Sequence, residues 1–324
     1  MTLAEVKLAK ASNPNLRIGI ALSGGGIKGL CHAGALKALE EYGIRPDVIS
    51  GVSAGSVVGA LYADGLTPDE IGEMFMGLSF RKSTVYDSAG GGFLNIKPFM
   101  RLVHKHLKSK RIEDLPLPLY IVATDLDHGH TVEFSTGDLI TSVTASCSVP
   151  VLFTPTIIDG VHYVDGGVFK NFPATTIRDR CDILIGINAS PMLAAQYKVN
   201  VANVLERVYH FMFKANIVHD REVCDVLLEP SDMGMYDTFD VEKSHEIFEL
   251  GYSYTHRFCY PDEQLELNEV TSGQETVDGL QDAEETESGD EKKDKKKSLF
   301  NLNVQTPGEL VDYLGQMIRN IRGD

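Results

Sequence analysis

Short runs of apolar residues alternate along the chain with longer segments whose apolar positions recur at helical spacing. The short runs predict strands at 16–22, 47–50, 119–124, 131–134, 156–158, 162–164, 182–188 and 226–229. The segments between them predict helices at 27–42, up to about 64, from 67 onward, and at 97–107, 138–147, 201–219 and 241–258. Strands that alternate with helices indicate an α/β fold with three α/β/α layers, in which a mostly parallel sheet is covered on both faces.

The pattern changes after residue 260. Residues 261–298 hold 13 acidic residues and five lysines but few large apolar ones. Such a segment cannot bury enough apolar area to offset its ordering entropy, so we expect a disordered linker that is acidic and rich in lysine. A capping box at Thr306–Glu309 then opens an amphipathic helix. The sequence therefore predicts a domain at 16–260, a linker at 261–298 and a C-terminal helical segment at 299–324.

Composition and charge narrow the class of protein. A hydrophobic fraction of 43% with 23% charged residues is ordinary for a globular chain of 324 residues. Half of the net charge of −16 comes from the linker, whose 13 acidic residues and five lysines sum to −8. The rest of the chain is therefore only moderately acidic. No basic face stands out that would neutralise phosphates, which argues against a nucleic-acid partner. No apolar run spans a membrane and the N-terminus shows no secretory signal, so we expect cytoplasmic residence.

Cysteine usage gives no evidence of a disulfide framework or a metal site. The five cysteines are scattered without a CxxC pair: Cys31, Cys147, Cys181, Cys224 and Cys259. We expect them to be buried as small apolar side chains. The sequence predicts neither a metal nor a cofactor.

A glycine-rich loop, Ser23-Gly24-Gly25-Gly26, joins the first strand to the first helix and is followed by Gly29. Its spacing fits a dinucleotide-binding loop, and Asp47 lies about as far along the chain as a ribose-binding acid would. However, Asp47 precedes its strand, whereas such an acid belongs at the carboxyl end. The alternative is that consecutive backbone N–H groups at a helix start form a site for a developing oxyanion.

The segment Gly51-Val52-Ser53-Ala54-Gly55 lies between a strand and a helix, the context of a nucleophile elbow. Glycine on both sides of a sharp turn would leave the hydroxyl of Ser53 exposed at the carboxyl edge of the sheet. The competing interpretation is that Ser53 simply caps the helix that follows.

A serine nucleophile needs a base, and histidine is the usual one. The downstream histidines fall inside predicted helices rather than at strand ends: His210, His219, His245 and His256. His128 and His130 flank a turn and form only a weak metal signal. Asp165-Gly166-Gly167 follows a predicted strand, although Asp-Gly is also a common turn sequence.

Taken in order, the glycine-rich loop, the GVSAG segment and the Asp-Gly-Gly turn resemble the patatin-like phospholipase family. The stretches Ala145–Pro150 and Tyr163–Pro173 are also similar to that family. The resemblance covers about residues 16–230 and implies a serine–aspartate dyad without histidine. It assigns Ser53 as nucleophile, Asp165 as base and the N–H groups of Gly24, Gly25 and Gly26 as oxyanion donors.

The remaining motif positions are Lys28, Gly29, Gly51, Gly55, Gly166 and Gly167. Lys28 occupies the basic position of the loop and either steers anionic head groups or is simply solvated. The resemblance implies a lipolytic acyl hydrolase whose partner is a phospholipid or related lipid. A catalytically weak scaffold that binds lipid or a partner protein is the alternative. The C-terminal helix and Phe211–Phe213 either contact a membrane surface peripherally or pack on the core.

Overall fold

The computed structural model of the protein describes residues 1–76, 85–86, 92–191, 208, 211–238 and 241–261. The strands are β1 Ile18–Leu22, β2 Val48–Val52, β3 Val85–Tyr86, β4 Gly92–Asn95, β5 Leu119–Asp125, β6 His130–Phe134, β7 Val151–Phe153, β8 Thr156–Ile158, β9 Val161–Asp165, β10 Ile183–Ile187 and β11 Val226–Leu228. The helices are α1 Leu3–Ser12, α2 Leu30–Glu41, α3 Ala54–Ala63, α4 Pro68–Met76, α5 Lys97–His106, α6 Leu139–Ser146, α7 Val218–Glu222 and α8 Ser244–Cys259.

The main sheet has eight strands in the order β11-β10-β1-β2-β5-β9-β8, with β6 paired to β5. Its central pairs, β11-β10, β10-β1, β1-β2 and β2-β5, are parallel. The strands β6, β9 and β8 add antiparallel pairs at one side. A smaller sheet joins β3, β4 and β7. The predicted α/β fold is confirmed: the sheet is mixed, mostly parallel and flanked by helices.

Short capping motifs set the starts of several helices. A capping box starts α4: the N–H of Thr67 donates to the Glu70 carboxylate at 2.8 Å, and the N–H of Glu70 donates to the Thr67 hydroxyl at 3.2 Å. The same arrangement joins Thr2 and Glu5 at the start of α1. The helix α1 was not predicted from the sequence, although Thr2-Leu3-Ala4-Glu5 has the spacing of a capping box.

Close helix packing and a dense apolar cluster hold the layers together. A Cβ placed on Gly34 of α2 would come within 2.1 Å of the carbonyl oxygen of Phe248 in α8, so these helices touch backbone to backbone. A separate cluster packs Phe172 and Ile177 against residues of β1, β2 and β10. Burying a side chain such as that of Phe172 contributes about 2–3 kcal/mol.

Several predicted elements differ from the structure or lie outside its described part. The strands β3, β4 and β7 were not predicted from the sequence, and the predicted helix at 27–42 begins as a 3₁₀ turn at Gly26–Gly29 before α2. Of the helix predicted at 201–219, residues 211–216 are helical, the chain turns at Ile217, and α7 follows. The predicted linker and C-terminal helix lie outside the described residues, apart from Pro261, and stay predictions.

No helix in the described ranges is long and apolar enough to cross a membrane.

Candidate active site

The strands β2 and β9 lie end to end along one side of β5. β2 pairs in parallel with the first half of β5, where Val52 is opposite Val122. β9 pairs antiparallel with the second half, where Asp165 is opposite Ala123. Because β6 covers this stretch of β5 from the other side, β2 and β9 share one edge. The two strands run toward each other, so their carboxyl ends meet and Ser53 comes to lie beside Asp165.

The backbone at Ser53 makes the sharp turn that its flanking glycines predict. Ser53 has φ 51° and ψ −124°, a left-handed conformation that costs a non-glycine residue about 1–3 kcal/mol. A Cβ on Gly55 would lie 2.4 Å from the carbonyl oxygen of Leu22, and one on Gly51 would lie 2.5 Å from that of Gly55. The side chain of Ser53 makes no capping hydrogen bond to α3, which argues against the interpretation of Ser53 as a helix cap.

Two buried serines hold the peptide groups on either side of the turn. The hydroxyl of Ser146 accepts the N–H of Ser53 at 2.8 Å. The hydroxyl of Ser56 donates to the carbonyl of Ser53 at 2.6 Å. This bond gives Ser56 a structural role at the turn. The role of Ser146 was missed, because nothing in its local sequence indicates a partner 93 residues away.

The carboxyl group of Asp165 is buried at the end of β9 and faces the hydroxyl of Ser53. Burial raises the pKa of Asp165 to about 6, against the opposing effect of hydrogen bonds from the Ser53 hydroxyl and the N–H of Gly167. The Gly167 N–H donates to the carboxylate at 2.8 Å and fixes its orientation. Gly166 allows a close approach to β5, since a Cβ there would lie 2.5 Å from the carbonyl oxygen of Val122.

The thiol of Cys147 lies against the same two groups. Burial, reinforced by the nearby carboxylate of Asp165, raises the pKa of Cys147, while hydrogen bonds from Ser56 and Ser53 oppose the rise. The sulfur lies 3.8 Å from the hydroxyl oxygen of Ser56. Cys147 is therefore a protonated, unreactive thiol and a small buried side chain, as predicted, and it also lies next to Ser53 and Asp165.

The first glycine of the loop does not offer its N–H to a substrate. The N–H of Gly24 donates to the carbonyl of Asn171 at 3.0 Å, so we leave Gly24 out of the oxyanion donors that the sequence predicted. Among the described residues, the N–H groups of Gly25 and Gly26 meet no protein acceptor. A Cβ on Gly24 would lie 3.4 Å from the Cβ of Ser53, which places the loop directly beside this residue.

Gly29 lets this loop pack closely against its neighbour, and Lys28 beside it is buried. Gly29 allows the 3₁₀ turn to approach α3, since a Cβ there would lie 2.6 Å from the Cβ of Ala54. Lys28 is only 6% exposed. Its burial overturns the interpretation of Lys28 as a fully solvated side chain.

Two asparagines connect the Asp-Gly-Gly turn to the glycine loop, and neither was predicted from the sequence to lie at the site. The side-chain amide of Asn216 donates to the carbonyl of Gly167 at 2.8 Å and accepts the N–H of Asn171 at 3.0 Å. Asn171 in turn accepts the N–H of Gly24. The turn that carries Asp165 and the loop beside Ser53 thus share one hydrogen-bonded chain of residues.

Within the described residues, no histidine is among the groups that shift the pKa of Asp165 or hydrogen-bond to it. His219 lies in α7, and His245 and His256 lie in α8, as their predicted helical positions require; His210 lies outside the described residues. His32 is buried near the loop and donates from Nε2 to the carbonyl of Ser23 at 2.8 Å. Burial lowers the pKa of His32 to about 4, so this side chain is neutral at pH 7.

The structure does not support the two other ligand sites considered from the sequence, a ribose site at Asp47 and a metal site at His128 and His130. Asp47 accepts the N–H of Ile18 at 2.8 Å and pairs with Lys10 at 3.2 Å, at the amino end of the sheet and away from any ribose position. His128 pairs with Asp125 at 2.9 Å. In the part of the chain that the structure describes, no group of three or more His, Cys, Asp or Glu side chains is arranged to hold a metal ion.

The chain is thus an α/β protein in which a serine lies on a strained strand-to-helix turn beside a buried aspartate. This turn has the geometry of a nucleophile elbow. The family model of patatin-like phospholipases matches residues 20–177, which contain both Ser53 and Asp165. The resemblance of the chain to the patatin-like phospholipase family is thus confirmed over these residues, which make up just under half of its length.

Individual relatives agree with this assignment. Lysophospholipase NTE1 of Kluyveromyces lactis is 29% identical over 278 residues, which cover 74% of this chain and 19% of that protein. Human patatin-like phospholipase domain-containing protein 6 is 26% identical over 294 residues, which cover 76% of this chain and 20% of that protein. The chain thus spans about a fifth of the length of these two curated relatives.

A solved structure shares the fold. The crystal structure of VipD from Legionella pneumophila matches with a TM-score of 0.51 at 16% sequence identity. The match covers 76% of this chain and 67% of that one.

Proposed function

We propose that the protein is a lipolytic serine acyl hydrolase that cleaves acyl ester bonds of phospholipids or related lipids. The observation that carries this proposal is the meeting of Ser53 and Asp165 at the head-to-head ends of β2 and β9. A hydroxyl on a strained turn and a buried carboxyl beside it are a nucleophile and a base in mutual reach.

The proposed reaction has two stages, acylation and then deacylation of Ser53. Ser53 Oγ attacks the ester carbonyl while its proton passes to the carboxylate of Asp165, and the N–H groups of Gly25 and Gly26 stabilise the oxyanion. Collapse of the tetrahedral species expels the alcohol, which takes the proton from Asp165 and leaves an acyl-serine. Water then attacks the acyl-serine and gives its proton to Asp165. The second collapse releases the fatty acid and returns the proton to Ser53.

The raised pKa of Asp165 suits this role. A carboxylate with a pKa near 4 is a weak base toward an alcohol, whereas burial brings the pKa of Asp165 to about 6. A base works best when its pKa approaches the working pH. The proton transfer from Ser53 therefore needs less help from geometry than an exposed aspartate would require.

The lipid class of the substrate rests on the similarity of residues 20–177 to patatin-like phospholipases and on the apolar surface near the site. Phe169, three residues after Gly166, is half exposed, and so are Val151 and Phe211. Phe169 lies close in the chain to the turn that carries Asp165, and exposed apolar side chains such as these three suit an acyl chain or the surface of a lipid aggregate. We propose that the protein meets its substrate as a peripheral contact through these residues.

Two variants test the dyad. We expect Ser53→Ala and Asp165→Asn each to abolish hydrolysis of a p-nitrophenyl acyl ester. Asp127→Asn, a half-exposed aspartate paired with His162, is the matched control and should retain activity. Retained activity in Asp165→Asn would overturn the dyad and point to another base.

Covalent labelling and lipid products test the reaction class. A fluorophosphonate should label wild-type protein at Ser53, and Ser53→Ala should not be labelled. Mass spectrometry of the products from vesicles of phosphatidylcholine, with and without lysophosphatidylcholine, should show released fatty acid. A protein that binds the vesicles but neither labels nor releases fatty acid is the non-catalytic scaffold.

A further inference from the structure

The carbonyl of Gly24 is held by two hydroxyl groups. Ser190 Oγ donates to this oxygen at 2.8 Å, and Ser23 Oγ donates to it at 3.0 Å. The N–H of the same residue is bound to Asn171. Three hydrogen bonds therefore fix the two peptide groups around Gly24, directly beside the nucleophile.

This clamp determines where the N–H of Gly25 points. The peptide group between Gly24 and Gly25 is trans and planar, so its C=O and N–H point in opposite directions. Fixing the carbonyl on the side of Ser190 therefore directs the Gly25 N–H to the opposite side. The described residues provide no acceptor for this N–H, which leaves it available for a substrate oxyanion.

Ser190 is itself held in place at the end of a central strand. It lies three residues after β10, which pairs in parallel with β1 up to Leu22 and Ile187. Its N–H donates to the side chain of Asn188 at 3.0 Å. A Cβ on Gly25 would lie 2.5 Å from Ser190 Oγ, so the hydroxyl occupies the space that a glycine at this position leaves open.

We propose that Ser190 is a positioning residue that aims the oxyanion-binding N–H of Gly25, an inference that rests on the proposed function. Ser190 lies beyond residues 20–177, the stretch matched by the family model. It touches no reacting atom and acts through the Gly24–Gly25 peptide group. Its removal therefore weakens binding of the transition state more than binding of the substrate.

The test compares Ser190→Ala with Ser190→Thr, which keeps the hydroxyl, and with Ser12→Ala, an exposed serine bonded to its own helix. Losing a whole oxyanion donor lowers kcat by about 10²–10³-fold. Because Ser190→Ala only misdirects such a donor, we expect its kcat to fall by about tenfold. Its KM for a p-nitrophenyl ester should stay within about twofold of the wild-type value. A trifluoromethyl ketone forms a tetrahedral oxyanion on Ser53, so its Ki should rise by the same factor as kcat falls. Ser190→Thr should restore both values.

The outcomes separate the two proposals. If wild-type protein hydrolyses the ester and Ser190→Ala matches it in kcat and in Ki for the ketone, the role of Ser190 is overturned and the proposed function stands. A rise in KM with unchanged kcat would also overturn it, because that change indicates a substrate contact. If wild-type protein neither hydrolyses esters nor reacts with a fluorophosphonate, the proposed function fails and the role of Ser190 fails with it.

Discussion

Ser146 connects the candidate nucleophile to the central sheet: its hydroxyl accepts the N–H of Ser53 at 2.8 Å and donates to the carbonyl of Val122 at 2.6 Å. All three groups are buried. A side chain from α6 thus replaces the strand pairing that β2 loses where it turns away from β5. The left-handed conformation of Ser53 persists because this contact and the bond from Ser56 hold it on both sides.

Replacing Ser146 by alanine should destabilise the protein and slow the reaction. The change leaves the N–H of Ser53 and the carbonyl of Val122 buried without this partner, and each such group costs about 1–3 kcal/mol. We expect the free energy of unfolding, measured with urea, to fall by about 2–4 kcal/mol. At temperatures where the variant is folded, kcat should also fall, because the turn that presents Ser53 loses its anchor.

Ser142→Ala is the matched control for this prediction. Ser142 is a buried serine one turn earlier in α6, and its hydroxyl donates to the carbonyl of Asp138, which also accepts the N–H of Ser142. Its loss leaves no peptide group without a partner. Equal destabilisation by Ser142→Ala and Ser146→Ala would contradict the anchoring role.

The strain at Ser53 should appear as a difference between two inactive variants. Ser53→Ala keeps a Cβ in the left-handed conformation at φ 51°, whereas Ser53→Gly removes it. Relief of about 1–3 kcal/mol of strain is offset by about 0.5–1 kcal/mol of added entropy in the unfolded chain. We expect Ser53→Gly to be more stable than Ser53→Ala by about 1 kcal/mol in urea unfolding. An alanine variant at least as stable as the glycine variant would show that the turn is unstrained.

The pairing of Ser53 with Asp165 followed from sequence only in outline. Both residues could be placed at strand ends, and their order in the chain matched a known family. The way they meet could not be predicted, because it depends on β2 and β9 sharing one edge of β5 in opposite directions. That register arises from pairing between residues far apart in the chain, which the local apolar pattern does not contain.

The partners of the glycine loop were beyond sequence reasoning for the same reason. Gly24 was a plausible oxyanion donor until its N–H was found bound to Asn171, 147 positions later. Ser190 approaches the loop because β10 lies beside β1, although the two strands are separated by most of the domain. By contrast, α1 was predictable from its capping box, since all the residues that form it are neighbours.

The pH dependence of kcat/KM should report the ionisation of Asp165. The base must be ionised to accept the proton of Ser53, and its pKa in the folded protein is raised to about 6. We expect kcat/KM to rise about tenfold per pH unit below 6 and to level off above it. The reaction can be followed between pH 4.5 and 8 at the isosbestic wavelength of p-nitrophenol. Asp127→Asn should keep this profile, and a profile flat across the range would exclude Asp165 as the base.

The burial of Asp165 also lowers the free energy of unfolding when its carboxyl group is ionised. Its pKa rises from 3.8 in the unfolded chain to about 6, so between these values the folded protein binds more protons. Stability attributable to Asp165 therefore falls as pH rises through this window, and the full penalty is present above about pH 6. At 1.36 kcal/mol per unit, the penalty at pH 7 is at most about 3 kcal/mol.

Asp165→Asn should therefore be inactive yet more stable than wild type by about 1–3 kcal/mol at pH 7. The amide oxygen still accepts the hydrogen bonds from Ser53 and Gly167, while the buried charge is gone. Urea unfolding of both proteins at pH 7 and pH 4 measures the effect, and the difference should shrink toward zero at pH 4, where the carboxyl group is largely protonated. The titration of other groups, including His32, is common to both proteins and cancels in the comparison. If Asp165→Asn is no more stable than wild type at pH 7, the buried carboxylate does not destabilise the folded protein. The pKa of Asp165 is then not raised to the range that suits a base.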